Sequence, residues 1–434
     1  MNLTARDLGL FALMGAVLAM VGMFQSPQLA ITILNMSLIS AIMALGVNMQ
    51  WGYAGLFNVG VMGFTAVGGL AVVLIAQPPV PEAWAAGGLG VMLGLMLGVA
   101  TILAAVAVYK AMTPGKLRGA ALIAVLAVGY LLTSYVFGPA KSAVQAVNPA
   151  SEGYLGGLNM PVILAWPVGA VFAAGVAWVV GKISLGLRSD YLAIATLGIS
   201  EIVIAVLKHE RWLARGVNNV TGIDRPVARP VDLQPLPWVQ SLADTLGWSL
   251  SQTASVVSGL GYAGLFLIVL GLLIWLAERA LNSPWGRMMR AIRDNEISAR
   301  AMGKNVTRRH LHIFVLGSAV CGLAGAMMVS MDGQLTPGSY EPLRFTFLIW
   351  VMVIVGGSGN NWGAVLGAFV IWFLWVQVEP AGRWFMELVT SGMADGSDLK
   401  QHLLSSAAYM RLLTMGVALL LMLRFAPRGL IPER

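Results

Sequence analysis

The densest chemistry in the chain lies between residues 278 and 309, where eight basic and three acidic side chains fall in 32 positions. Arg287, Arg290 and Arg293 recur every three residues and so share one face of a helix, with Asp294 and Asn295 interrupting the run. Asn282-Ser283-Pro284 marks the start of that helix: Ser283 carries an oxygen that can cap it, and Pro284 suits a first turn. A second short helix is predicted from Glu296 to Met302, stopped by Gly303. Two short charged helices fit a hook docked in a partner's groove; the same composition also fits a solvated basic loop. The other residue of note is Glu201, an acid inside an apolar run. A carboxylate there implies a pathway or an ion pair, and Lys208 or Arg211 is near enough along the chain for snorkelling. Asp190 reads as a local pair with Arg188.

Catalytic and metal chemistry finds few residues to work with. Cys321 is the single cysteine, and it sits in an apolar run. The four histidines are scattered; only His310 and His312 are close, and two positions apart they face different ways on a helix. No zinc spacing, no phosphate loop of the G-x-x-x-x-G-K-[ST] type, no Ser/His/Asp set and no H-E-x-x-H stand in the sequence. The chain is therefore expected to bind no cofactor and to hydrolyse no nucleotide itself.

Composition decides which elements carry these residues. Of 434 residues, 58% are hydrophobic and 11% charged, against about 25% charged in a soluble domain. An ordinary soluble enzyme, a disordered chain and a nucleic-acid-binding domain are excluded, and a net charge of +8 does not restore the last. The class is all-α, a polytopic membrane helix bundle in contact with lipid. A crossing helix needs about 20 apolar residues. Candidates are 8–24, 29–49, 56–76, 90–109, 119–136, 161–180, 189–207, 260–277, 310–330, 343–356, 362–378 and 408–425: about 12 spans, and 10 at the fewest. Segment 343–356 is short enough to be broken or re-entrant, and 189–207 is weakened by Asp190 and Glu201. The first segment lacks a small-x-small cleavage site behind it and reads as an uncleaved span.

With the N-terminus inside, the inner segments hold 17 of the 27 basic residues and 6 of the 19 acidic ones. The positive-inside bias therefore places both termini in the cytoplasm. Residues 1–434 then form one transmembrane domain with a cytoplasmic loop at 278–309 and a periplasmic loop at 208–260. In the latter, Val239, Leu242, Leu246, Leu250 and Ala254 fall on one face of an amphipathic helix. This loop and the outer stretch 380–407 fit either loop packing or a dock for an external partner. Glycines crowd two regions: Gly52, Gly55, Gly60, Gly63, Gly68 and Gly69, and then Gly356, Gly357, Gly359, Gly363 and Gly367. Close helix packing and unwound segments lining a pathway both call for such residues.

Four stretches resemble a known family: ALGVNMQWGYAGLFNVGVMGF (44–64), LRSDYLAIATLGISEIV (187–203), SPWGRMMRAIRDNEISARAMGKNV (283–306), and VIVGGSGNNWGAVLGAF (353–369) with the ending LRFAPRGL (423–430). Their order and spacing are similar to those of branched-chain amino acid ABC importer permeases of the LivM type. The resemblance implies an inner-membrane permease subunit that works with a second homologous permease, two cytoplasmic ATPase subunits that use ATP, and a periplasmic solute-binding protein. It also implies that Glu296, Ala299 and Gly303 fill an E-A-A-x-x-x-G-like coupling motif, with Ser298 where Ala is common. Arg287, Arg290, Arg293 and Asp294 belong to the same coupling loop. Asn58, Gly60, Gly63, Tyr191, Thr196, Glu201, Gly356 and Gly357 become candidates for the translocation pathway. The chain departs from the family in two places. Asn58-Val59-Gly60-Val61 stands where many members carry a Ser/Gly-His pair, and 110–160 is longer than in a minimal member. Related permeases carry urea or short amides, which is the alternative solute class. A stand-alone secondary transporter would need several buried carboxylates.

Overall fold

Small polar caps and prolines set where the helices begin. A computed structural model describes residues 4–393 and 397–433; Arg434 and positions 394–396 of the outer stretch lie outside them. Thr4 opens α1 (Ala5–Phe24) with a capping box: its hydroxyl accepts from the Asp7 amide while the Asp7 carboxylate accepts from the Thr4 amide. Pro27 starts α2 (Pro27–Ala54), which Gly55 ends in the left-handed region at φ +68°. There follow α3 (Val61–Ala76), α4 (Pro81–Ala111), α5 (Lys116–Ala146), α6 (Val162–Ser184) and α7 (Ser189–His209). The next group is α8 (Pro237–Leu246), α9 (Leu250–Asn282), α10 (Pro284–Asp294), α11 (Glu296–Ala301) and α12 (Val306–Asp332). The chain closes with α13 (Pro342–Gly356), α14 (Asn361–Val389) and α15 (Asp398–Phe425).

All twelve apolar segments are helical. Ten are long and apolar enough to cross a membrane among the described residues. The other two, α3 and α13, have 16 and 15 residues, about 24 and 22 Å against a hydrocarbon core of about 30 Å. Both stop short at the inner end, where Leu56–Gly60 and Gly357–Asn360 run as non-helical chain. The expected span 56–76 thus loses its first turn to an extended segment.

Two boundaries differ from expectation on the outer side. α9 starts at Leu250, not near 260, so the outer loop ends ten residues earlier than the 208–260 range. The apolar stripe from Val239 to Ala254 is not one helix either. Gly247, at φ +67°, ends α8, and Ser249 caps α9 by accepting from the Gln252 amide. Val239 and Ala243 are buried, whereas Leu246 is exposed. The outer loop is held by a two-residue antiparallel pairing, β1 (Val220–Thr221) with β2 (Gln334–Leu335), and by Arg225, whose Nη2 donates to the Asp332 carbonyl at 2.9 Å.

The centre of the bundle is α2 and α12, which pack on each other. α2 also meets α9, α13 and α14, and α12 meets α3 and α6. α4 and α5 pair mainly with each other at the periphery and join the rest through a small cluster of Val91, Val144, Leu155 and Trp212. The Phe11 ring of α1 packs edge-on against Trp362 of α14 at 6.0 Å, and Glu433 reaches Arg293. Both ends of the chain therefore share one end of the bundle with α10 and α11, as an even number of crossings requires.

Candidate coupling site and pathway wall

The α9–α12 connection turns twice. Ser283 ends α9 and caps α10, its Oγ accepting from the Gly286 amide with Pro284 in the first turn; Asn295 caps α11 by accepting from the Ser298 amide. α10 lays Met289 and Ile292 into the bundle, both fully buried. α11 buries nothing. Glu296 and Arg300 pair across one turn of α11, Gly303 closes it at φ +77°, and the large apolar side chains of Ile297 and Met302 stand in the open.

The arginines do not project as a free stripe. Arg287 Nη1 donates to the Asn282 carbonyl at 3.2 Å and Arg290 Nη2 to the Leu281 carbonyl at 3.4 Å. Both therefore cap the C-terminus of α9, whose last carbonyls have no helical partner. Arg293 reaches across to the end of α2. It donates to the Gly52 carbonyl and to Glu433 Oε2, the latter at 2.8 Å, while its Nε lies 3.1 Å from Asp294 Oδ1. Burial opposes its charge, but Glu433 and then Asp294 outweigh that, and the guanidinium is held above its ordinary value. One cation thus meets a carboxylate and the negative end of a helix dipole together.

Behind Arg293 lies a buried polar seam. Gly52 packs on the α13–α14 turn so closely that a Cβ would lie 2.5 Å from the Gly359 amide nitrogen, so the two glycine-rich regions meet here. Asn48 Oδ1 accepts from the Gly359 amide at 2.8 Å. Its Nδ2 reaches the Tyr53 hydroxyl and Asn361 Oδ1, and the Tyr53 hydroxyl donates to Asn361 Oδ1. Asn361 Nδ2 in turn donates to Glu278 Oε1 of α9 at 2.9 Å. Asn360 caps α14 through Trp362 and Gly363 amides and donates to the Pro432 carbonyl. Leu430 and Ile431 amides donate to the Val355 and Gly356 carbonyls, and this strap along the end of α13 delivers Glu433. Gly357, at φ +120°, turns the chain between α13 and α14.

The seam continues toward α7. Gln50 Nε2 donates to the Phe314 carbonyl and Ser318 Oγ of α12, and Asn58 Nδ2 donates to Gln50 Oε1 at 2.8 Å. The Asn58 carbonyl accepts from Trp350 Nε1 at 3.0 Å. The Val59 amide donates to Thr196 Oγ1 at 3.1 Å. Gly60 and Gly63 let α3 approach α7, since Cβ atoms would lie 2.5 Å from the Thr196 carbonyl oxygen and 2.8 Å from Ser200 Oγ. Asn58, Gly60, Gly63, Thr196, Gly356 and Gly357 therefore belong to one region.

Tyr191 and Glu201 do not join it. α7 buries Leu192, Thr196, Ser200 and Ile204, while Tyr191, Ile194, Gly198 and Glu201 form its uncovered face. Glu201 makes no hydrogen bond or ion pair among the described residues, with Lys208 and Arg211 included, and no ion pair joins Asp190 to Arg188. Sequence reasoning missed Asn48, Tyr53, Glu278, Asn360, Asn361 and Glu433. The available signal was amide side chains inside apolar runs, which are costly unless paired. It also missed an apolar cavity of about 180 Å³ lined by Met36, Met43, Met62, Met328 and Met352, with the exposed Asp332 and Ser339 at its outer end.

Comparison with known families matches residues 117–423 to the family described as "Branched-chain amino acid transport system / permease component". The high-affinity branched-chain amino acid transport system permease protein LivM of Escherichia coli is 30% identical over 216 residues, covering 47% of this chain and 48% of that protein. The chain thus aligns to about half the length of that relative. A Methanocaldococcus jannaschii protein named "Probable branched-chain amino acid transport permease protein LivM" is 25% identical over 396 residues, 91% of this chain and 90% of the relative. The ribose import permease protein RbsC of Haemophilus influenzae is 24% identical over 284 residues, 59% of this chain and 74% of the relative. No solved structure matches. These relatives are named as permease proteins, and with ten membrane-length helices among the described residues the chain is a multi-pass protein of the inner membrane. The chain belongs to the family of branched-chain amino acid transport system permease components.

Proposed function

We propose that this chain is a permease subunit of an ATP-driven importer, moving branched-chain amino acids inward with a second permease, two ATPase subunits and a periplasmic binding protein. One observation carries the reading: α11 has no buried residue, and only Ala299 rests half-buried against the bundle, while α10, directly before it, is fastened by Arg293 to α2 and the C-terminal strap. A partner that grips Ile297, Met302 and the Glu296–Arg300 pair pulls on α10, and α10 transmits the pull to the polar seam. The sequence carries no G-x-x-x-x-G-K-[ST] phosphate loop, which supports assigning the motor to a partner.

The uncovered face of α7 is the wall toward the second permease. A carboxylate at the middle of a spanning helix costs about 2.5–3.5 kcal/mol on insertion scales if left to lipid, so Glu201 belongs against a partner or an aqueous path. The Met-lined cavity supports an apolar cargo side chain: a cavity of about 150 Å³ holds a benzene-sized group.

The test is reconstitution of the complete transporter with ATP and labelled leucine. Arg293→Glu or Glu296→Arg is expected to insert normally and to lose ATP-coupled uptake. Normal uptake with intact ATPase coupling in both variants contradicts the assignment. Gradient-driven uptake by the chain without ATPase subunits would point to a secondary transporter instead.

A further inference from the structure

We propose that the pocket between the inner ends of α6 and α12 holds the headgroup of an anionic phospholipid. It is a concavity of about 1090 Å³ beside the coupling segment, lined by α6, by α12 and by Trp285 of α10. The nearby cations are mostly committed. Arg287 and Arg290 cap α9, Arg293 holds Glu433, and Arg300 pairs with Glu296. Lys182 and Arg308 are different. Both line the pocket, and no carboxylate does. Neither makes an ion pair among the described residues, and the Lys182 ammonium lies 5.7 Å from the centre of the Trp178 ring.

The order of chemistry with depth is that of a lipid. Arg308, Lys182 and the His312 imidazole sit at or near the inner rim. Leu316 is eight residues farther along α12 than Arg308, about 12 Å deeper into the membrane, and Trp178 is one turn deeper than Lys182. Leu316 and Trp178 are exposed, so the wall below the cations is apolar and open to the acyl region. Basic pockets between spans on the cytoplasmic side attract anionic headgroups, and tryptophan favours the interface. A free phosphate would use the cations and leave the apolar wall bare. Because Trp285 belongs to α10, an occupant of this pocket touches the coupling segment directly.

The test uses the full-length purified chain in detergent and native mass spectrometry with phosphatidylglycerol, phosphatidylcholine and inorganic phosphate. The wild-type chain is expected to retain phosphatidylglycerol, and Lys182→Gln/Arg308→Gln to bind it about tenfold or more weakly. Lys182→Arg/Arg308→Lys keeps the affinity, and phosphatidylcholine binding is the same in all three. Equal phosphatidylglycerol retention by the double glutamine variant overturns the proposal. Full displacement of the lipid by inorganic phosphate overturns it in favour of a free-phosphate site. A brominated-acyl phosphatidylglycerol gives a second readout that does not depend on the charge variants being well folded. It should quench wild-type fluorescence by a larger fraction than that of Trp178→Phe/Trp285→Phe, and equal quenching would contradict the site.

Discussion

α2 and α5 are nearly the same helix by length and apolarity: 28 and 31 residues, with mean hydropathy of 2.0 and 2.1 in their most apolar windows. In the fold they are opposites, with 72% of that window buried in α2 and 6% in α5. The difference lies in their polar residues. α2 carries Asn35, Asn48 and Gln50, each buried and each donating to another helix or the turn beside it. Among the described residues α5 has no comparable amide with a distant partner along its apolar stretch; its long-range ion pair is at the outer end, Lys141 to Glu210 at 2.8 Å. Hydropathy counts crossings. Amide and charged side chains with fixed partners mark the helices that carry conformational work.

Substitutions sort along that contrast. The largest effect is expected at Arg293. Arg293→Glu places an acid beside Glu433 and the negative end of α2, and ATP-coupled uptake should fall about tenfold or more, the size of an ordinary coupling free energy, with membrane insertion unchanged. Next is Asn361→Leu, which removes the acceptor of the buried Tyr53 hydroxyl and one donor to Glu278. A loss of about 1–3 kcal/mol should appear as a lower unfolding midpoint of the detergent-solubilised chain. Glu201→Gln keeps the shape of α7 and removes a charge from its uncovered face, so uptake should drop several-fold while the midpoint stays put. An unchanged rate would place Glu201 outside the pathway. The smallest effect belongs to the peripheral pair. Leu131→Ala on the exposed face of α5 should change stability by less than about 0.5 kcal/mol and leave uptake alone. A large loss there would show that the α4–α5 hairpin is covered by a partner and is not merely lipid-facing.

Much of this was legible in the residues. Twelve apolar runs gave twelve helices, and Ser283, Pro284 and Gly303 marked the turns around α10 and α11 because caps act locally. What stayed hidden depends on distance in the chain. The spacing of Arg287, Arg290 and Arg293 shows a shared face but not that two of them fold back on α9 and one crosses to α2. Glu433 is 140 positions from Arg293, and no periodicity links them. The stripe from Val239 to Ala254 looked continuous because apolar spacing carries over Gly247, whose left-handed backbone breaks it. Glu201 was visible as a buried-sequence acid, yet its uncovered position follows only from which side of α7 meets α3.

The central claim is that Arg293 and Glu433 act as one link between α10 and the seam. A double-mutant cycle on ATP-coupled uptake in the reconstituted transporter tests it most directly, with Arg293→Ala, Glu433→Ala and both together. Glu433→Ala should lower uptake in the wild-type background and cost nothing further once Arg293 is alanine. Losses that simply multiply, with Glu433→Ala as damaging in the Arg293→Ala background as in the wild type, would contradict the link.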